Sequence, residues 1–439
     1  MRPPTRILAL DQLLAERAGG SPIRVGMVGA GAAGRAIALQ LVGSVPGIRL
    51  VAIANRTVAN GRRAFAEAGD PPVVEVSTGE QLDRAVAAGR CAVTADASAL
   101  ATANLLQAII EVTGTVEYAA QVVVTALEQR KHVVLVNAEL DATVGPILAR
   151  RAAEQNVVLT NTDGDEPGVA MTLLRYLRSL GLRPVAAGNL KGLVDHYRTP
   201  ETQRAFAARY GQNPQKAASF ADATKLSMEA TILANATGFR VGKRGMYGPS
   251  CADVREIATR LPADEMLAGG LVDYALDAAP YTGAFVVVHE ADARKRRLLS
   301  YGKLGDGPFY VFYTPFHVPH LQVASTIARA VLQHDATVRP LDGPVCETMA
   351  IAKRDLRAGE RLDGVGGFCA YGLIDNAEAA AAADALPMGV AEGCLLTRDI
   401  PRDTALTYAD VELPPNRLID ELRREQQVAH LSTATSREP

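Results

Sequence analysis

Arg24-Val25-Gly26-Met27-Val28-Gly29-Ala30-Gly31-Ala32-Ala33-Gly34 decides the fold of this chain through what stands on either side of its glycines. The apolar run from Ile23 to Val28 reads as a buried strand and Ala33 to Val42 as a helix, so the glycines fall on the turn between them. Gly29 permits the tight turn, Gly31 lets the backbone approach a pyrophosphate, and Gly34 lets the helix lie against the strand. Phosphates then sit at the helix N-terminus, beside the backbone of Ala32 and Ala33. A second apolar strand, Arg49 to Ala54, follows at the spacing of a dinucleotide-binding unit.

The end of that second strand speaks to which dinucleotide. An acidic residue there would bind the adenosine ribose hydroxyls and repel a 2′-phosphate. Asn55, Arg56 and Thr57 stand there instead. An amide, a guanidinium and a hydroxyl suit a phosphomonoester, which predicts NADP(H) as cofactor. The alternative is that Arg56 is a solvated residue opening the next helix.

Working outward, apolar strands alternate with helical stretches to about residue 160: Cys91 to Thr94, Ala108 to Val112, His132 to Val136 and Val157 to Leu159. Such alternation specifies an α/β fold with a doubly wound, Rossmann-type parallel sheet. Thr113 and Gly114 follow one strand and Asn137 another, at the carboxyl ends where ligands of these sheets bind. Residues 7–18 read as a short amphipathic helix outside this domain. Residues 163–310 are mixed, with helices such as Gly168 to Leu180 and Thr224 to Thr237, and read as an α+β catalytic and dimerisation domain. Pro315 to Leu332 contains a long helix, so residues 311–344 are expected to return to the nucleotide domain, 1–162. Residues 345–425 change to short β-like pieces rich in Gly and Pro. Lys353 to Glu360 and Leu395 to Val411 look like two versions of a strand, an acidic turn and a second strand. The polar residues 426–439 read as a disordered tail.

With 439 residues, 48% hydrophobic and 21% charged, the chain needs two or three cores. A net charge of −2 supplies no field to attract nucleic acid or an anionic membrane. Five scattered cysteines without a CxxC pair argue against a disulfide framework or a zinc site. Without a signal-peptide core or a membrane-length apolar run, the expectation is a cytoplasmic enzyme acting on a small molecule.

The candidate chemistry lies in the middle of the chain. Lys191 stands between glycines after a strand-like stretch, followed by His196 and Tyr197. Asp222 reads as the N-cap of a helix whose first turn carries Lys225, where a cation opposes the helix dipole; that placement suggests function rather than stability, with a solvated lysine as the alternative. Asp163, Asp165 and Glu166 form an acidic turn that can bind a divalent ion, anchor a lysine or cap a helix. Arg240, Lys243 and Lys303, with Tyr197, are candidates for holding the anionic end of a substrate. His317 and His320 bracket Pro319 with no third metal ligand in view.

The stretches IIEVTG and HVVLVNAE resemble the nucleotide domain of homoserine dehydrogenases, and Asp222 with Lys225 resembles the aspartate and lysine of their catalytic helix. Two departures stand out: Ala138 occupies the place of that family's lysine after Asn137, and its aspartate and lysine lie one residue further apart than Asp222 and Lys225. A longer likeness runs through NLKGLVDHYRTPETQRAF, SFADATKLSMEATILANATGFRVGKRGM, GPFYVFYTPFHVPH and LPMGVAEGCLLTRDIP. These runs resemble the bacterial homoserine-dehydrogenase-like oxidoreductases with a C-terminal SAF domain, closest to the 1-deoxyxylulose 5-phosphate reductoisomerase-like enzymes. The resemblance implies a SAF-type β-clip at 345–425, a homodimer, and an NADPH-dependent step. In that step 1-deoxyxylulose 5-phosphate becomes 2-C-methylerythritol 4-phosphate, an isoprenoid precursor. On this reading Lys191 and Lys225 serve the reacting oxygens, Asp222 orients Lys225 or exchanges a proton, and Glu166 joins them. A simple dehydrogenase, an oxidoisomerase of a sugar acid, and a non-catalytic NADP-binding regulator are the competing readings.

Overall fold

A computed structural model describes residues 9–435. Seven strands form its first sheet: β1 (Ile23–Val28), β2 (Ile48–Ala54), β3 (Val73–Glu75), β4 (Cys91–Thr94), β5 (Ala108–Glu111), β6 (His132–Leu135) and β7 (Leu159–Asn161). Their order is β3-β4-β2-β1-β5-β6-β7, every neighbouring pair parallel. The order reverses between β1 and β5, which opens the crevice where a ligand of such a sheet binds. Helices cover both faces, so the strands are apolar throughout: Val25 and Met27 of β1 pack with Ile37 and Leu41 of the helix Ala32–Gly43, and Val28 and Ala52 pack on the other side. β7 begins at Leu159 rather than Val157, because the Val157 N–H still bonds Ala152 O and closes the helix before it. The N-terminal helix runs Leu10–Ala18, and residues 7 and 8 lie outside the described residues.

The second sheet holds β8 (Arg183–Lys191), β9 (Leu271–Leu276), β10 (Ala284–His289) and β11 (Phe309–Thr314), in the order β11-β10-β8-β9. β8 and β9 are parallel and the other pairs antiparallel. One face packs on the helices Glu166–Ser179 and Thr224–Thr237, the other on Val254, Ile257 and Met266. Lys191 is therefore the last residue of a strand, not a turn residue. The helix Pro319–Ala328 returns to the nucleotide domain as expected, burying Val323, Ile327 and Ala328 in its core.

In the C-terminal region β12 (Cys346–Ala352) pairs antiparallel with β13 (Ala370–Asn376), and β14 (Leu395–Leu396) with β15 (Val411–Glu412). The two acidic-turn segments pair with each other: Leu356 bridges Ile400, and Asp399 accepts from Arg357 and from the Ala358 N–H. The expected disordered tail is corrected, because residues 426–435 continue the helix Leu418–Thr435. Its polar residues have work to do. Pro146 and the non-helical Val144 break the helix Ala138–Glu154, freeing the Ile147 N–H and the Thr143 carbonyl. Gln426 Oε1 accepts the first at 3.2 Å and Arg423 donates to the second at 3.1 Å. Residues 436–439 of the expected tail lie outside the described residues.

No helix among the described residues is long and apolar enough to cross a membrane. All five cysteines are buried as free thiols.

Candidate active site

The crevice at the carboxyl end of β1 is built from backbone. Gly29 sits at φ +111°, and a Cβ on Gly34 would run into the Gly29 carbonyl oxygen, so the turn and the close approach both require glycine. Gly31 is the N-cap of the helix Ala32–Gly43 and brings no side chain to the free N–H groups there; a Cβ on it would meet nothing within 4 Å. Gly31, Ala32 and Ala33 are exposed, and no acidic residue stands in the first turn. That is a surface fitted to an anion.

The polar side chains around the crevice are mostly engaged in holding it. Asn55 Oδ1 accepts the Ala30 N–H at 3.1 Å and its Nδ2 donates to Thr57 O, tying the glycine turn to the end of β2. Arg56 is exposed and makes no hydrogen bond or ion pair among the described residues. Glu111, fully buried at the end of β5, accepts from the Thr113 N–H and hydroxyl and from Asn137 Nδ2. Burial pushes the Glu111 carboxyl up despite those donors. Asn137 also caps the helix Ala138–Glu154 through the Leu140 N–H. Beside Gly114, Lys216 from the helix Pro214–Ala221 donates to Thr113 O at 2.7 Å, closing the mouth of the crevice.

Next to it lies a cluster of buried charges drawn from separate elements. Glu139 follows β6, Asp165 and Glu166 follow β7, Lys191 ends β8, and Lys225 and Glu229 share the helix Thr224–Thr237. Lys191 Nζ lies 2.7 Å from Glu166 Oε1 and 3.4 Å from Glu229 Oε2. Lys225 Nζ is 3.4 Å from Glu139 Oε2, and Asn189 Nδ2 donates to Glu229 Oε2 at 3.0 Å. His317 Nε2 stands 3.7 Å from Glu166 Oε1, its Nδ1 3.3 Å from the Thr282 hydroxyl.

Burial opposes both ammonium groups, yet the surrounding carboxylates hold both lysines above the ordinary lysine range: Glu166 and Glu229 around Lys191, Glu139 and Asp165 chiefly around Lys225. Burial also opposes the Glu166 carboxylate, but Lys191 and His317 pull it well below its usual range. Four carboxyl groups thus face two ammonium groups. Burial, with Glu166 beside them, pushes the Glu229 and Asp165 carboxyls up, toward the neutral form. Oε1 of Glu229 is buried with no hydrogen-bond partner among the described residues, and Asp165, Glu166 and Glu229 each bring one oxygen within 4.8 Å of the others. Such an oxygen set suits a hard divalent cation.

The structure therefore brings Lys191, Lys225 and Glu166 into one cluster. Asp222 is not with them. Its Oδ2 pairs with Lys353 at 2.8 Å, and its Oδ1 accepts the Thr224 N–H, while Ala223, not Asp222, is the N-cap. Asp163 holds the returning helix through Ser325 and the segment after it through Arg329 and Thr337, because its carboxylate points that way. The expected anion-holding residues do not converge. Arg240 forms a two-pronged pair with Glu378, Lys243 lies over the Tyr247 ring, Tyr197 donates to Asp403, and Lys303 is exposed at φ +66°. Opposite charges and rings within reach claim Arg240, Lys243 and Tyr197 first, and Lys303 faces solvent. Of the two histidines, His317 reaches the cluster.

Glu139, Glu229 and Lys216 were missed as site residues. Glu229 had a signal, standing four residues after Lys225 on one helix face, and so did Glu139, two residues after Asn137 at the carboxyl end of a strand; Lys216 had none beyond its place near a crevice visible only in the fold.

Residues 164–323 match the family model of the oxidoreductase DRL catalytic domain, and residues 347–412 that of the SAF domain. The chain thus carries an oxidoreductase catalytic domain followed by a SAF domain. No curated protein matches it. Among solved structures it is similar to a homoserine dehydrogenase of Thiobacillus denitrificans, 15% identical over 77% of this chain and 84% of that one, TM-score 0.40. A probable dehydrogenase of Thermotoga maritima is 14% identical over 73% and 91%, TM-score 0.41. An apo scyllo-inositol dehydrogenase of Lactobacillus casei is 12% identical over 72% and 89%, TM-score 0.40. Similarity at this level says nothing of cofactor or substrate.

Proposed function

We propose that this oxidoreductase uses NADP(H) to reduce, or in reverse to form, the carbonyl of a small hydroxy-carbonyl compound bound beside Lys191 and Lys225. The observation that carries the reading is the pair of buried ammonium groups among four carboxyl groups at the carboxyl ends of β6, β7 and β8. The glycine turn and the unpaired Arg56 support a dinucleotide with a ribose 2′-phosphate.

Gly29, Gly31 and Gly34 with the backbone of Ala32 and Ala33 would hold NADP(H), which when bound would supply hydride-transfer chemistry. Developing negative charge on the carbonyl oxygen needs preorganised cations, and Lys191 and Lys225 are held charged by carboxylates that stay in place. Lys225 can give a proton to the alkoxide oxygen and regain one through Glu139. Asp165, Glu166 and Glu229 would hold a divalent cation, which polarises a carbonyl when bound. Burial of the cluster keeps water from competing for the same groups.

The finer reading is rearrangement of a hydroxy-ketone before reduction, as of 1-deoxyxylulose 5-phosphate to 2-C-methylerythritol 4-phosphate. A dehydrogenase or oxidoisomerase of an unphosphorylated hydroxy or sugar acid is the second, favoured by the dispersal of Arg240, Lys243 and Lys303 away from the cluster. Purified protein is assayed for NADPH oxidation with 1-deoxyxylulose 5-phosphate, then in both directions with homoserine and sugar acids, each with Mn²⁺ and with EDTA. Turnover with one of these, lost in Lys191→Ala and Lys225→Ala, is the expected result. Full activity of both variants on a turned-over substrate would sink the assignment.

A further inference from the structure

The SAF domain reaches the catalytic helix at its first turn, and the residue that does so is a buried lysine. Lys353, directly after β12, is 4% exposed, and its ammonium spends all three donors: 2.8 Å to Asp222 Oδ2, 2.8 Å to Arg198 O and 2.7 Å to Gly367 O. Asp222 is fully buried, and its second oxygen accepts the Thr224 N–H at 2.9 Å. One carboxylate therefore joins the SAF domain to the start of the helix Thr224–Thr237. Between them Ala223 is held at φ +70°, a left-handed conformation that a residue with a Cβ keeps only where its surroundings impose it.

Two more bonds fasten the same helix. The Gly372 N–H of β13 donates to Thr224 Oγ1 at 2.8 Å, and Thr231 and Thr348 share a hydroxyl contact at 2.9 Å. β13 comes this near because Gly372 has no side chain; a Cβ there would stand 2.7 Å from Thr348 Cγ2 and 3.0 Å from Thr224 Cγ2. Lys225 is the next residue along, and Glu229 follows one turn later. The helix N-terminus itself disfavours a cation at Lys225. Its ammonium stays beside Glu139 only while the first turn stays where these bonds put it.

We propose that Lys353 is a positioning residue for the active site, acting through Asp222 to set the first turn of the catalytic helix. The SAF domain is then a structural arm of the catalytic domain. The proposal rests on the reading of Lys225 as a functional residue, and its test includes a readout that needs no substrate. The variants are Lys353→Met, the double Lys353→Met/Asp222→Asn, which removes both buried charges together, and Thr224→Val, which cuts the Gly372 bond without stranding a charge. For each, acetylation of Lys225 by N-hydroxysuccinimidyl acetate is followed by peptide mass mapping, beside amide hydrogen exchange over residues 224–230 and NADPH affinity by fluorescence.

In the double variant, Lys225 is expected to be acetylated at least tenfold faster with NADPH affinity within threefold of wild type. Thr224→Val is expected to show a smaller rise in the same direction, and it reports even if the Lys353 variants do not fold. On any substrate turned over, kcat falls at least tenfold with KM within threefold. Wild-type acetylation and exchange in a folded double variant, or in Thr224→Val if that alone folds, would overturn the proposal. Unchanged turnover in Lys225→Ala would instead remove the catalytic reading and leave the positioning result to stand or fall on acetylation.

Discussion

At the carboxyl end of β1 a ligand meets glycines and backbone N–H groups, with Asn55, Thr113 and Asn137 turned inward to fasten the loops. Past β7 it meets charged side chains buried together, where Lys191 and Lys225 are each held by carboxylates from other elements. The first region offers shape and backbone donors, with Asn55, Thr113 and Asn137 satisfied and Arg56 exposed. The second keeps charge in low dielectric, which is costly unless paired, and so it is assembled only where several elements supply partners at once. On the proposed reading, binding and chemistry fall in different regions, and substitutions should separate them.

Lys225→Met is expected to have the largest effect, lowering turnover by about 10²–10³-fold as loss of one preorganised charge donor does, while NADPH affinity holds. Gly34→Val is the mirror image: its side chain collides with the Gly29 carbonyl, so saturable NADPH binding is lost. Fluorescence titration and turnover measured side by side check both: Gly34→Val loses turnover because it loses the cofactor, whereas weakened NADPH binding in Lys225→Met would break the division drawn above. Arg56→Glu has a middle effect within the crevice. NADPH affinity should fall about 10- to 100-fold, the worth of a charge-assisted contact, with NADH affinity little changed; an equal change for both cofactors would show that no 2′-phosphate is held there.

The smallest effect on turnover belongs to Asp141, which accepts a hydrogen bond from Asn161 beneath the cluster and makes no contact with Lys191 or Lys225 among the described residues. Burial pushes its carboxyl up to about 7. A carboxyl raised on folding contributes stability that is complete below its unfolded value near 4 and is lost as pH rises through about 7. Asp141→Asn should therefore flatten the fall in stability between those limits, at about 1.4 kcal/mol per pH unit, with turnover unmoved. Thermal midpoints of both proteins across that range decide it.

Legibility followed the same division. The dinucleotide turn could be read because Gly29 to Gly34 are contiguous and each glycine has a local reason. The end of the helix Thr224–Thr237 was readable to the residue, because Gly238 closes it with a local signal, whereas its N-cap is Ala223 and not Asp222. The role of Asp222 was not, since its partner Lys353 comes from 131 residues further on. Short strands such as β3, with no fully buried residue, carried too little apolar pattern to be seen. The tail failed for a different reason: Gln426, and Arg423 just before the tail, look like solvent residues until the kink at Pro146 supplies backbone groups for them to satisfy.

By itself the sequence determined the parallel sheet, the glycine turn, the returning helix and the presence of Lys191, Lys225 and Glu166, all features written in local spacing and apolar period. Only the tertiary structure decided which charges share a site. A buried ammonium takes whichever carboxylate packing brings within reach, and that choice set Lys191 on Glu166 and Glu229, Lys225 on Glu139, and Asp222 on the SAF domain.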